Sequence, residues 1–563
     1  MVGAVVALTT LPFAAKAVHI DDVYFLEIAR NVLKDPLRPF SGAAGLEDID
    51  FRVFAQAGRC PDTFTSMSHP PLVAYIMALV ARLDGGFREL PLHLTFDLFA
   101  FGAALAMYDL AKRFTPSPLL TTLLLVSSPV FVLSAHGLMT DMPALALSLL
   151  SLAAFIRGAD GDRRPLILFS GVLAGLAILT RYSALLVLPL LCAYAAAQGR
   201  VRKAWPAALG VSAVLGLWSA QNLAVHGALH LVASARHYQL FYAGRGFDGT
   251  GLLSKTLGDL SGLGGTSFIA AALLLATGVR RRAVTFSLGL LAVAMVFMAR
   301  PAGIERLDLY SVLEASVVAG SFACGVLLVV EALWPARDAT PSVGAAEHDS
   351  IFLAAWLLLA IGGALFLLPF GTARYMLPVL PPLWVLLVRR VWARDHGPRR
   401  RRTAAGLVVA QGLVLSLVLG TADDDYAGRY RDLAVRLRES HPDRTLWFVG
   451  EWGFRYYMGE VGGRYLKSTD DSPQPGDVVV RPLIAGMHEM SPSLLARTSM
   501  AERLPIHGRW PIRLMNFEAK AGYYSHHWGY LPWSVSTAPL EIVDVFEVRS
   551  PAPPSPPATC ASF

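Results

Sequence analysis

The residues in this chain best suited to chemistry are two adjacent carboxylates, Asp21 and Asp22, just past the first apolar segment. Carboxylates at the mouth of an apolar bundle accept protons or carry ions, so the pair is a candidate base with a neighbour that orients it. Further along the chain stand His69 in Ser68-His69-Pro70-Pro71-Leu72, Asp141 in Thr140-Asp141-Met142-Pro143, Arg181 in Thr180-Arg181-Tyr182, and Arg374-Tyr375 in Arg374-Tyr375-Met376-Leu377-Pro378. Two guanidinium groups on one face suit a phosphate, which they grip bidentately; the bland alternative is snorkelling to lipid headgroups. Asp21, Asp22, Thr140 and Asp141 also have the chemistry of helix caps, although capping explains one aspartate of a pair more readily than two.

These side chains need a scaffold, and composition names its class. Of 563 residues, 54% are hydrophobic and only 16% charged, and the mean hydropathy is +0.48, which marks a polytopic membrane protein. Apolar runs predict about thirteen helices, at 2–18, 90–111, 118–136, 141–157, 165–180, 182–198, 204–225, 267–279, 283–299, 308–334, 351–370, 374–390 and 404–422. The stretch 165–198 also reads as one passage bent at Thr180-Arg181.

The net charge of +7 does not point to nucleic acid, because the basic residues cluster in short turns. Alternate turns carry nineteen Lys and Arg, against only Arg181, Arg300, Arg306 and Arg374 in the opposing ones. The basic side is therefore expected in the cytoplasm, with the 19–89 loop and the C-terminal region outside. Ala15-Lys16-Ala17 loosely resembles a signal-peptidase site, but no basic residue precedes the apolar run, so the segment reads as an anchored helix.

Within the 19–89 loop, Val23, Leu26, Ala29 and Leu33 recur at helical spacing and predict an interfacial helix. The run from Val73 to Leu83 is too short to span and predicts a second interfacial or re-entrant helix. Beyond 422 charge returns and strand-like pieces appear, Thr445 to Val449 and Asp477 to Val480, so residues 423–550 are expected to form a small soluble α/β domain. Its segment from Tyr523 to Tyr530 is rich in rings that either stack on a sugar or fill a core. The tail 551–563 is Pro-rich and expected to be disordered. Four cysteines define no zinc or disulfide framework; a Cys60–Cys560 bridge stays open.

In this order the motifs resemble the GT-C glycosyltransferases that use polyprenyl-phosphate sugars, the protein O-mannosyltransferases and the lipid A aminoarabinose transferase, over roughly residues 1–420 of an expected transmembrane domain 1–422. The resemblance implies a transmembrane bundle and an inverting transfer with Asp21 as base. Asp22 stands where a glutamate is usual, and His69 where the aminoarabinose enzymes often carry lysine. It further implies that Arg374, helped by Arg181 or His69, steadies the departing lipid phosphate, and that Asp22 and Asp141 orient the base or bind sugar hydroxyls. It implies no definite cofactor; a divalent cation held by Asp22 and Asp141 stays an alternative, although no metal-ligand spacing accompanies them. The implied partners are a polyprenyl-phosphate sugar, membrane lipids and a lipid, glycan or protein acceptor; the implied location is the bacterial inner membrane with the site on the periplasmic side. A non-catalytic lipid-glycan flippase or polymerase-like protein and a secondary transporter are the alternatives.

Overall fold

The computed structural model describes residues 1–40, 69–242, 249–276, 309–334, 345–393, 397–467, 471–486 and 489–550. The bundle opens with α1 (Val2–Thr10), α2 (Asp22–Lys34), α3 (Leu72–Asp84), α4 (Glu89–Phe114), α5 (Pro118–Val126), α6 (Pro129–Ala135) and α7 (Asp141–Asp160). It continues through α8 (Arg164–Thr180), α9 (Val187–Ala197), α10 (Trp205–His226), α11 (His230–Tyr242), α12 (Gly249–Thr266) and α13 (Phe268–Ala276). Then follow α14 (Leu309–Leu333), α15 (Ala345–Leu367), α16 (Leu380–Ala393) and α17 (Pro398–Ser440).

Six of these helices are long and apolar enough to cross a membrane, or eight if each of two bent pairs is one span. Helices stand at every expected segment except 283–299, which lies outside the described residues, but the count of thirteen spans is not reached among those described. Physical punctuation explains the difference. The segment 118–136 breaks into α5 and α6 with a bend of 61°, because Pro129 donates no hydrogen bond and pushes Ser128 into an extended conformation, φ −68° and ψ 134°. Between α8 and α9, Arg181 is extended at φ −160° and ψ 127°, and a 3₁₀ turn, Tyr182–Leu186, follows. The stretch 165–198 is therefore two helices. The Arg374 segment forms a second 3₁₀ turn, Ala373–Val379, ahead of α16.

Both loop helices are present: α2 packs on α3, with Val23, Leu26, Ala29, Val73 and Met77 buried between them and the bundle. Cys60, Cys560 and the 551–563 tail lie outside the described residues.

The helix α17 is 43 residues long and passes without a break through 422/423, the boundary read from the sequence. The sheet starts only at β1 (Leu446–Phe448), followed by α18 (Trp452–Glu460), β2 (Arg464–Tyr465), β3 (Val478–Pro482), α19 (Pro492–Ala496), β4 (Thr498–Ile506), β5 (Ile512–Arg513), β6 (Met515–Asn516), β7 (Ala521–Gly522), β8 (Ser534–Val535) and β9 (Glu541–Val548). Its five-stranded order is β2-β1-β3-β9-β4, parallel among β2, β1 and β3 and antiparallel beyond. The pleat divides its residues: Val478 and Val480 join the core that runs on into the bundle, whereas Val479, Trp447 and Phe546 fill a second core on the far face.

This region is seated directly on the start of the chain. The Tyr457 hydroxyl accepts from the Val18 N–H at 2.8 Å, Arg455 pairs with Glu27 at 3.1 Å, and Tyr24 donates to Glu451 at 3.2 Å. Gly453 has to be glycine for this seating, since a Cβ there would lie 2.2 Å from the Val18 carbonyl oxygen. At the opposite end of the bundle, charges pair among themselves: Arg113 bridges Asp160 and Asp349, and Lys203 meets Asp162.

Candidate functional site

The turn that carries the acidic pair is strained. Ile20 sits at φ +46°, a left-handed conformation that a β-branched residue rarely adopts, and it is fully packed, 3% exposed. Strain of this kind persists only where the surroundings over-determine it. Here the His19 N–H donates to Asp22 at 3.2 Å, and the Asp22 N–H donates back to the His19 carbonyl at 3.1 Å. The other Asp22 oxygen accepts from the Leu138 N–H at 2.8 Å. Asp22 is thus buried and stitches the start of α2 to the turn that leads into α7, while its neighbour points the other way.

Asp21, at the N-cap position of α2, makes no capping bond, and its side chain is 36% exposed. Its one charged partner among the described residues is Arg374, at 3.5 Å, the outer edge of a hydrogen bond. Arg374 is buried and reaches Asp141 at 3.8 Å with its other terminal nitrogen; Asp141 is also in direct ion-pair contact with buried Arg181. One carboxylate therefore holds two guanidinium groups together. Tyr375 lies between them, its ring 5.0 Å from the Arg181 carbon and 5.2 Å from that of Arg374. The Nε atoms of both arginines are buried without a hydrogen-bond partner among the described residues.

His69 completes the group, its ring stacked on Phe25 at 6.1 Å. Burial, with the Arg181 and Arg374 charges, pushes its imidazole down to about 3, so it is neutral at working pH. Positive charge for an anion comes from the two arginines, with His69 as a neutral hydrogen-bonding neighbour.

From Asp141, Arg181, Arg374 and Tyr375 a cavity of about 110 Å³ leads inward between α7, α9 and α15, lined by Leu145, Leu149 and Trp356. A water occupies roughly 30 Å³ of liquid, so the cavity has room for a few such groups.

Asp21, His69, Asp141, Arg181, Arg374 and Tyr375, scattered over the sequence, thus gather at one end of the bundle, with Asp22 directly behind. The Arg374 segment is held there by long-range bonds. Thr372 donates its N–H to Asp259 of α12 at 2.8 Å and its hydroxyl to the Tyr523 carbonyl. The segment 523–530 is divided in role: Tyr523 and Tyr524 are core residues, while His527 is exposed and Trp528 half-buried.

Sequence reasoning missed the support beneath this turn. Lys16 and Asp423, 407 residues apart, form a buried ion pair. Asp423 also accepts from the Tyr524 hydroxyl at 2.8 Å and lies 3.5 Å from His19. The signal was available, since Lys16 is the one charge in the first apolar segment and Asp423 closes the last. Among the described residues, no three His, Cys, Asp or Glu side chains converge as a metal site.

Burial pushes the Asp22 carboxyl up to about 7, against the opposing pull of Lys16 and the two backbone N–H donors. A raised acid favours the folded state while protonated, so this contribution is full below pH 4 and lost as pH rises through about 7. Thermal unfolding of wild type and Asp22→Asn in detergent across pH 4–8 should show a downward slope that is smaller in the variant; equal slopes would remove Asp22 as its source.

The family model described as dolichyl-phosphate-mannose-protein mannosyltransferase matches residues 68–221. No curated protein matches the chain. Among solved structures it is similar to the Archaeoglobus fulgidus oligosaccharyltransferase in complex with Zn and sulfate, at 12% identity and a TM-score of 0.47 over 83% of this chain and 62% of that one. It is also similar to ArnT from Cupriavidus metallidurans bound to undecaprenyl phosphate, at 15% identity and a TM-score of 0.36 over 96% of each chain. A third likeness is the S. cerevisiae protein O-mannosyltransferase Pmt1-Pmt2 complex bound to the sugar donor, at 14% identity and 0.27 over 47% and 36%. The chain spans just under two thirds of the archaeal enzyme. Such values leave the details of the site to this chain's own geometry. The matched stretch includes His69, Asp141 and Arg181, and over it the chain is similar to the dolichyl-phosphate-mannose-protein mannosyltransferases, in keeping with the GT-C resemblance of its motifs.

Proposed function

We propose that this protein is an inverting glycosyltransferase that takes a sugar from a polyprenyl-phosphate donor and passes it to an acceptor on the outer face of the inner membrane. One observation carries the reading: a half-exposed carboxylate, Asp21, stands 3.5 Å from a buried arginine that shares Asp141 with a second arginine, beside a cavity lined by these charges and by apolar side chains such as Leu145, Leu149 and Trp356.

In this reading the donor phosphate lies on Arg374 and Arg181, and its prenyl chain runs past Leu145 and Leu149 into lipid. The weak Asp21–Arg374 contact gives way to the phosphate, whereas Asp141 keeps the two guanidinium groups side by side. Asp21 takes the proton from the acceptor hydroxyl or amine as that atom bonds to the anomeric carbon. The bond from that carbon to the phosphate oxygen breaks, and its electron pair leaves on the lipid phosphate, where the arginines stabilise the growing charge. Attack from the face opposite the phosphate inverts the anomeric configuration. Asp22 orients the turn, and Tyr375 keeps both guanidinium planes in place. The basic opposite end supports a cytoplasmic location for that end.

The test is transfer of labelled sugar from a panel of polyprenyl-phosphate monosaccharides in membranes expressing wild type or Asp21→Asn at equal levels. Transfer or donor hydrolysis with inversion that vanishes in the variant is expected. No donor consumption in either, despite donor binding, would favour a non-catalytic carrier of lipid-linked glycans.

A further inference from the structure

The half-exposed part of the aromatic segment is linked to both chain segments that meet in the Asp21–Arg374 contact. Phe370 stacks on Tyr375 at 5.4 Å and also meets the exposed His527 ring at 5.9 Å. On the other side, Trp528 packs against Trp452 at 5.5 Å and Phe517 at 6.2 Å. Trp452 in turn is anchored beside the acidic turn, because the next residue, Gly453, abuts the Val18 carbonyl. The consecutive residues His527 and Trp528 therefore bridge from the Arg374–Tyr375 segment to the Val18–Asp21 segment, which are themselves joined by the Asp21–Arg374 contact.

These rings keep part of their surface open, although Trp528 also packs on the edge of the main core. Phe517 is 54% exposed, His527 is exposed, and Phe370 and Trp528 are half-buried. The core role in this segment belongs to Tyr523 and Tyr524, and attachment to α12 belongs to Tyr530, which donates to Ser254 at 3.3 Å, and to Trp533, which donates to the Gly265 carbonyl at 3.1 Å. The four rings form an aromatic shelf of two pairs, Phe370–His527 tilted by 49° and Phe517–Trp528 tilted by 56°, joined through consecutive residues 527 and 528, with Phe370 stacked on Tyr375.

We infer that Phe370, Phe517, His527 and Trp528 form the acceptor subsite, and that the acceptor presents a saccharide ring there. The inference rests on the glycosyltransferase reading and narrows its acceptor from lipid, glycan or protein to carbohydrate. Flat aromatic faces complement the C–H face of a pyranose, while an imidazole at the same edge suits its hydroxyls. An acyl chain would gain nothing from the imidazole. The acceptor hydroxyl that reaches Asp21 then belongs to the ring held on the shelf or to its neighbour.

The experiment uses the full-length protein in proteoliposomes with the labelled donor identified above, and maltoheptaose, chitohexaose, a mannan oligosaccharide, a Ser/Thr-rich peptide and a diacylated glucosamine lipid as acceptors. Transfer to an oligosaccharide is expected, with its KM raised at least tenfold in both Trp528→Leu and Phe517→Ala and kcat changed far less. Phe517 is exposed enough to be cut back without unfolding the protein, and Trp510→Ala, an exposed position off the shelf, should leave KM unmoved. Transfer only to peptide or to the diacyl lipid, donor hydrolysis without saccharide transfer, or an unmoved KM in both shelf variants would each overturn the subsite. Absence of any Asp21-dependent donor consumption would instead overturn the transferase reading, and the subsite with it.

Discussion

Asp21→Asn should lower transfer by about 10²–10⁴-fold, the range that a positioned general base supplies, while leaving folding intact. The geometry supports both halves of that expectation. The side chain is partly exposed and makes no cap bond, so the amide costs the fold little. Its weak contact with Arg374 at 3.5 Å is replaceable by an amide oxygen. The measurement is the single-turnover rate at saturating donor beside the thermal midpoint of each protein. A residual rate within threefold of wild type would exclude Asp21 as the base, whatever the sugar.

The second large effect is on the fold. Lys16 and Asp423 are 2% and 0% exposed, so Asp423→Ala strands an ammonium group out of water and deprives Tyr524 of its acceptor. Breaking a buried pair on one side costs about 3–5 kcal/mol, enough to lower the detergent thermal midpoint markedly and to open the seat of the C-terminal sheet to protease. The companion Lys16→Met/Asp423→Leu should recover most of the loss, since well-packed apolar replacements of buried pairs are often neutral or better. A double variant as unstable as the single one would assign the cost to shape and not to charge.

Much of the fold was legible because lipid imposes a simple rule on composition. Helices occupy the apolar runs, the motif residues from Asp21 to Tyr375 meet at one end, and strands stand at 446–448 and 478–482. What hydropathy could not show was where a run stops being straight. The Ser-Ser-Pro step at 127–129 is apolar enough on average to pass as one span, yet it bends the chain by 61°. Nor could it show that α17 continues past 422, because the window ends where charge begins while the helix does not; Asp425 and Arg429 simply pair one turn apart at 2.9 Å. The two members of the acidic pair are chemically identical in sequence. Burial and partners separate them, and one of the partners that Asp22 takes, the Leu138 N–H, comes from more than a hundred residues away.

At 1.5 Å per residue, the 43 residues of α17 extend about 65 Å, some twice the hydrocarbon thickness of a bilayer. Asp423 lies near its middle, where the same rod that is pinned to Lys16 emerges to carry the sheet. It is a mast stepped in the membrane with the roof of the candidate site rigged to its upper half. Because Asp423 on that rod holds both Lys16 and Tyr524, a tilt of the mast carries the acidic turn and the Tyr523–Tyr530 segment together, so their spacing is kept in a thinner or thicker bilayer.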